Sequence, residues 1–180
     1  MKPELQSEKA AVTLLDARIA VSVLICALTA TVLTECGICF PYGDRKLEII
    51  QKMTACISCL LLCQDNTQVS FKAGVNRLII TAVGGIVGVL VALIDTNLNS
   101  PVLMTLMISG GVLLTLFLCK VCKVPYINAR IGGVTFVLVS CTLSGYGRIW
   151  YALFRFASTL YAAIVVLLVT WAFSLVKKKA

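Results

Sequence analysis

The 180-residue chain contains no histidine. A Ser-His nucleophile or an HExxH zinc helix would lack its proton carrier or its ligands, so both chemistries are excluded. No GxxxxGK[ST] loop is present to cradle a nucleotide. Charge is scarce as well: 13% of residues are Asp, Glu, Lys or Arg, about half the share usual in soluble domains. No enzymatic activity, metal or cofactor is expected from such a chain.

What fills the sequence instead is apolar: 59% of residues are hydrophobic and the mean hydropathy is +0.98. Crossing ~30 Å of hydrocarbon takes about 20 residues of helix, and several windows reach or approach that length with few charges. The expected fold is all-α, a polytopic helical membrane protein of about six transmembrane helices. Apolar runs bounded by charge, Pro or Asn place the spans near 17–38, 48–64, 76–94, 101–119, 127–144 and 150–176. The second is short and the fifth has polar flanks, so four spans with two re-entrant or interfacial segments is the alternative. Residues 1–16 read as a polar cytoplasmic leader, 17–176 as the transmembrane domain and 177–180 as a basic cytoplasmic tail. The leader "MKPELQSEKA" has no signal-peptide pattern, so the first span is read as retained.

The formal charge of +8 is spread over loops and span ends, with one run at Lys177 to Lys179. That distribution fits topology and lipid headgroups, not nucleic acid. With the N terminus in the cytoplasm, eleven Lys and Arg fall on the inner side and five on the outer. The bias favours a multi-pass protein of the cell membrane with both termini inside.

At an offset of 78 residues Lys52 pairs with Arg130, Cys63 with Cys141, Arg77 with Arg155 and Thr81 with Thr159. The same shift lays the second span on the fifth and the third on the sixth. Segments 17–94 and 101–176 therefore read as two three-helix repeats, inverted because each holds an odd number of spans. Chance similarity of apolar composition is the competing explanation.

Within "GVNRLIITAVGGIVG", Thr81, Gly85, Gly88 and Ala92 recur at i, i+4, i+7 and i+11 as one stripe of small residues. Gly84, Gly85 and Gly88 are the expected helix-packing residues, since small side chains let backbones approach in lipid; a bend or unwound turn is the alternative. Arg77 precedes Thr81 by one turn on the same face, which points its charge into the bundle. Arg77 and Arg130 lie within about a turn of the expected span starts, where snorkelling to the headgroups is cheap, so an interfacial anchor also fits. Arg155 lies deeper. Under the inverted arrangement Arg77 and Arg130 form an inner basic pair, and Lys52 and Arg155 an outer one. A path so flanked favours anions, and Arg matches the fork of a carboxylate.

Three CxxC spacings occur: Cys36 with Cys39, Cys56 with Cys59, and Cys119 with Cys122. They fall on different helices near opposite faces, so packing is the main reading and redox sensitivity at an exposed pair the lesser one. Glu35 and Asp95 lie near span ends and read as boundary residues, with proton carriage as the alternative.

The segment "FKAGVNRLIITAVGGIVGVLVALI" resembles the repeated motif of the aromatic acid exporter and fusaric acid resistance (FUSC-type) families, in which an Arg-led start opens a glycine-rich span. "DARIAVSVLICALTATVL" is similar to their first helix and "ALFRFASTLYAAIVVLLVTWAFSLV" to their last. The resemblance implies a six-span membrane domain that exports aromatic or other organic carboxylates. Plant malate channels, with arginines lining an anion pore, resemble it distantly. Arg77 and Thr81 match the motif most directly, and Arg130 by general position. Ile80 stands where Gly is frequent, "CQDNT" replaces a proline-containing turn, and the chain ends soon after the last span, where many relatives continue into a cytoplasmic domain.

The expected function is thus an organic-anion exporter or channel, with Arg77, Thr81, Arg130, Arg155 and Lys52 as substrate-binding candidates. Its expected partners are the anion, membrane lipid and a second copy in a homo-oligomer, a dimer. A non-transporting membrane scaffold is the alternative. The charge bias predicts that a single cysteine introduced beside Lys123, in a cysteine-free background, resists an impermeant thiol reagent applied to intact cells. Labelling from outside would invert the topology.

Overall fold

The first helix, α1 (Leu14–Glu35), opens on a reciprocal cap. The Thr13 N–H donates to the Asp16 carboxylate at 2.8 Å, and the Asp16 N–H donates to Thr13 Oγ1 at 3.3 Å. Each satisfies a donor that the helix start leaves without a backbone partner. The computed structural model describes residues 13–42, 45–98, 101–143 and 145–179. After α1 come β1 (Cys39–Tyr42), β2 (Arg45–Glu48), α2 (Lys52–Leu62), α3 (Thr67–Leu98), α4 (Pro101–Val121), α5 (Tyr126–Thr142) and α6 (Gly147–Lys179).

Four of these helices, α1, α3, α4 and α6, are long and apolar enough to cross a membrane, which makes this a multi-pass helical membrane protein. The six expected spans correspond to six helices, but α2 has 11 residues and α5 has 17. At 1.5 Å per residue α2 is about 16 Å long, half the hydrocarbon thickness. The segment expected to begin it, from residue 48, is instead the end of a hairpin. Strands β1 and β2 pair antiparallel from Cys39 opposite Glu48 to Tyr42 opposite Arg45. This hairpin is the one departure from an all-α chain among the described residues. It lies against the start of α6, with the Phe40 ring 4.5 Å from Trp150 and 5.6 Å from Phe154.

Helix α3 also begins earlier than expected, at Thr67 rather than 76. Of the leader expected over 1–16, residues 1–12 lie outside the described part, and α6 carries helix through the expected tail as far as Lys179.

Helices α3 and α6 form the central pair and run antiparallel. A Cβ added to Gly74 would stand 3.7 Å from Ala163 Cβ, and one added to Gly85 would stand 3.8 Å from Ala152 Cβ. The contact residue thus advances along α3 as it retreats along α6. Around this pair the cores interlace. Cys26 of α1, Ala55 and Cys59 of α2, and Ala162 and Val166 of α6 form one cluster. On the other flank Ile80 of α3 packs with Cys119 and Ala129, and Val87 and Val91 pack with Phe136.

The glycines of α3 divide between two neighbours. A Cβ on Gly84 would lie 2.7 Å from the Gly132 carbonyl oxygen, and one on Gly88 would lie 2.7 Å from Val139 Cγ1, so α3 meets the α5 backbone at Gly84 and the Val139 side chain at Gly88. Gly85 faces α6 at ordinary contact distance, and lines an open apolar groove with Thr81, Ile86 and Phe156. Of the three expected packing glycines, the close seam is therefore Gly84 and Gly88, one turn apart, while Gly85 packs at ordinary distance on α6.

Gly84→Ala should destabilise the protein by about 1–3 kcal/mol, because its methyl meets backbone that cannot swing aside. Gly85→Ala should be neutral or stabilise it by about 0.4–1 kcal/mol. Thermal unfolding of the two variants in detergent checks the order, and equal midpoints would place the seam elsewhere.

Candidate functional site

Because α3 starts at Thr67, Arg77 is not at a span mouth. It lies ten residues inside the helix, roughly 15 Å along its axis. Arg155 is eight residues inside α6. Their exposures are 5% and 7%, so both guanidiniums are shut away from the surface. Snorkelling is ruled out by that burial. The register of the two helices, Gly74 opposite Ala163 and Gly85 opposite Ala152, sets the two arginines about five residues apart along the pair, roughly 8 Å.

Each arginine is followed one turn later by a threonine whose hydroxyl donates back to the arginine carbonyl. Thr81 Oγ1 donates to Arg77 O at 2.9 Å, and Thr159 Oγ1 donates to Arg155 O at 2.9 Å. With its proton so committed, Thr81 has only lone pairs to turn elsewhere, which does not suit it to hold an anion.

Arg155 Nη1 donates to Thr54 Oγ1 at 3.1 Å. That hydroxyl in turn donates to Gln51 Oε1 at 2.9 Å, and Gln51 Nε2 donates to the Tyr151 carbonyl at 3.1 Å. The Gln51 N–H donates to Ser158 Oγ at 2.8 Å. This network pins the start of α2 to the interior of α6, which is how so short a helix is held at depth. Arg77 has no such answer: its Nε and Nη1 are buried without a hydrogen-bond partner. They abut a cavity of about 60 Å³ walled by Leu61, Leu62, Ala73, Ile80, Asn128 and Ile131.

Among the described residues no Asp or Glu is buried. Asp95 is committed to Arg148, whose Nη1 donates to Asp95 Oδ2 at 2.8 Å while Nε donates to the Leu143 carbonyl at 2.7 Å. Asp95 is thus the boundary residue of its two readings, and Glu35 is the exposed last residue of α1. Arg18 donates to the Asp65 carbonyl at 3.1 Å and lies 5.9 Å from the Phe173 ring centroid.

The expected pairings of basic residues are not the ones formed. Arg130 is exposed, with its guanidinium 4.9 Å over the Tyr126 ring. Lys52 is exposed too, and its backbone N–H donates to the Glu48 carboxylate at 3.1 Å. The buried pair is Arg77 with Arg155, because both helices extend further toward the polar boundaries than their apolar runs indicate. Sequence reasoning passed over Thr54, Gln51 and Asn128. All three carried no signal beyond being polar in an apolar segment.

No group of three metal-ligating side chains is assembled among the described residues. The CxxC partners do not converge, but Cys26 and Cys59, on different helices, bring their sulfurs to 3.4 Å in the α1–α2 core.

Asp95→Asn should lower stability by about 1–3 kcal/mol, less than a fully buried pair would lose, because 22% of the Asp95 side chain is exposed. A thermal midpoint equal to wild type would show that the pair contributes nothing. Compared with known proteins, the chain matches no family model, no curated protein and no solved structure.

Proposed function

We propose that this protein is a membrane transporter or channel for organic anions, drawn into the bundle by the buried charges of Arg77 and Arg155. One observation carries the reading: of the three arginines buried on the central helix pair only Arg148 has a carboxylate partner, Asp95, and no carboxylate is buried among the described residues to neutralise Arg77 and Arg155. An Arg deep in a membrane helix costs roughly 2.5–3.5 kcal/mol on insertion scales. A fold that keeps two of them in its interior without a counter-ion is best served by an anion that arrives and leaves. A scaffold needs only packing, and the Gly84–Gly88 seam is already used within the chain.

The proposal includes two inverted repeats, 17–94 and 101–176, in the cell membrane with both termini cytoplasmic. The contacts of the central pair support it. Shifting Gly74 and Ala163 by 78 residues in opposite directions yields Ala152 and Gly85, which form the matching contact. The Thr81 and Thr159 bonds match in the same way. Such repeats relate the two arginines across a pseudo-twofold axis near the middle of the bundle. The segments that resemble the aromatic acid exporters include both arginines, which favours carboxylates over inorganic anions.

Flux of labelled benzoate and malate into vesicles holding the purified protein tests the reading. Arg77→Ala and Arg155→Ala should each cut flux at least tenfold per inserted molecule, about the worth of one charge-assisted hydrogen bond. Arg77→Lys should restore part of it, because the charge survives and the fork does not. Wild-type flux equal to that of empty vesicles for both anions would leave the scaffold reading in possession.

A further inference from the structure

We infer that the two arginines have unequal roles: Arg77, together with Asn128, is the position that receives the substrate carboxylate, while Arg155 is held by the protein itself. This rests on the proposed anion transport and deepens it by naming the group bound and a second residue that binds it.

The inequality begins with one position. At the 78-residue offset, Thr54, which accepts from Arg155, corresponds to Gly132. Glycine offers no hydroxyl to Arg77. No side chain fits there without displacement either, since a Cβ at Gly132 would lie 3.0 Å from Cys119 Sγ and 3.1 Å from Ile80 Cγ2. The close packing of α3, α4 and α5 thus removes the partner that the other half retains. Arg77 is left with two buried nitrogens unpartnered, whereas no Arg155 nitrogen is both buried and alone. An unanswered buried guanidinium is the costlier of the two, so a ligand gains more by answering it.

The space beside Arg77 limits what that ligand is. At about 60 Å³ it holds one small polar group. One water needs about 10–15 Å³ on a comparable measure, so the cavity suits the three heavy atoms of a carboxylate and the carbon that bears them. A benzene ring does not fit beside it. Five of the walls, Leu61, Leu62, Ala73, Ile80 and Ile131, are apolar, and the polar ones are Arg77 and Asn128. Asn128 lies in the first turn of α5, where the helix presents its positive end, and its amide supplies a donor without a competing charge. A dianion would bring a second charge against apolar walls. The site therefore selects a monocarboxylate that enters head first, with the rest of the molecule trailing outside the cavity.

The test is thermal unfolding of the purified full chain in detergent, in sodium sulfate, whose dianion the apolar walls exclude, and with acetate added. Acetate should raise the wild-type midpoint. Asn128→Ala should weaken the acetate dependence about tenfold. Asn128→Asp places a carboxylate where the ligand sits, so it should raise the midpoint in sulfate alone and abolish the response to acetate. Thr54→Ala should lower the midpoint and keep the full acetate increment. The inference is overturned if Asn128→Asp and Asn128→Ala both respond to acetate as wild type does, or if Thr54→Ala alone loses the response. Benzoate flux in vesicles separates the two levels. Wild-type flux that persists unchanged in both Asn128 variants would sink this assignment and leave anion transport standing. No flux in any protein, with the acetate response intact, would sink transport and leave the site.

Discussion

A guanidinium kept out of water has to be answered by something, and this structure buries four, Arg18, Arg77, Arg148 and Arg155. Arg155 is answered internally: the start of α2 is drawn to mid-depth of α6, where Thr54, Gln51 and Ser158 link the two helices. The shortness of α2 follows from this. A helix that begins beside Arg155 has only 11 residues to run before the chain turns into α3, and the hairpin supplies the rise that a longer helix would have given. Arg77 is placed with the same care but is not answered, and the cavity next to it is what remains.

Small residues decide how the helices share this interior. Gly84, Gly88 and Gly132 bring α3 and α5 into backbone contact, at the cost of any polar side chain there. In the α1–α2–α6 cluster the equivalent closeness is reached with alanine, serine and cysteine, whose modest bulk leaves room for hydroxyls such as Thr54 and Ser58. The two flanks of the central pair thus differ in polarity, with Gly132 on one and the Thr54 hydroxyl on the other.

The membrane class, the helix count and the inward face of Arg77 were legible in the sequence, because hydropathy and the four-residue spacing from Arg77 to Thr81 report directly on burial and facing. Helix ends were less so. The polar stretch from Thr67 to Asn76 reads as loop by hydropathy, yet it is the first third of α3, since a helix in a bundle satisfies its own backbone whatever its side chains. That error placed Arg77 at a boundary and paired it with Arg130. The hairpin had little signal, since Pro41, Lys46 and Glu48 in its strands are residue types that strands disfavour. The meeting of Arg155 with Thr54, 101 residues apart, and of Cys26 with Cys59 depends on which helices become neighbours, and no local pattern encodes that.

The interlaced cores also govern how the protein is made. Helices α1 and α2 emerge from the ribosome about a hundred residues ahead of α6, yet α6 supplies Ala162, Val166 and the Ser158 hydroxyl that complete their side of the bundle. Until then α2 is too short to span by itself and carries Gln51, Thr54 and Ser58 with no stable place for them. Membrane integration of the N-terminal segment is therefore provisional, and the last helix to be synthesised is the one that commits it. A nascent chain that stops before α6 leaves no half-sized functional unit, only an unfinished one exposed to quality-control proteolysis.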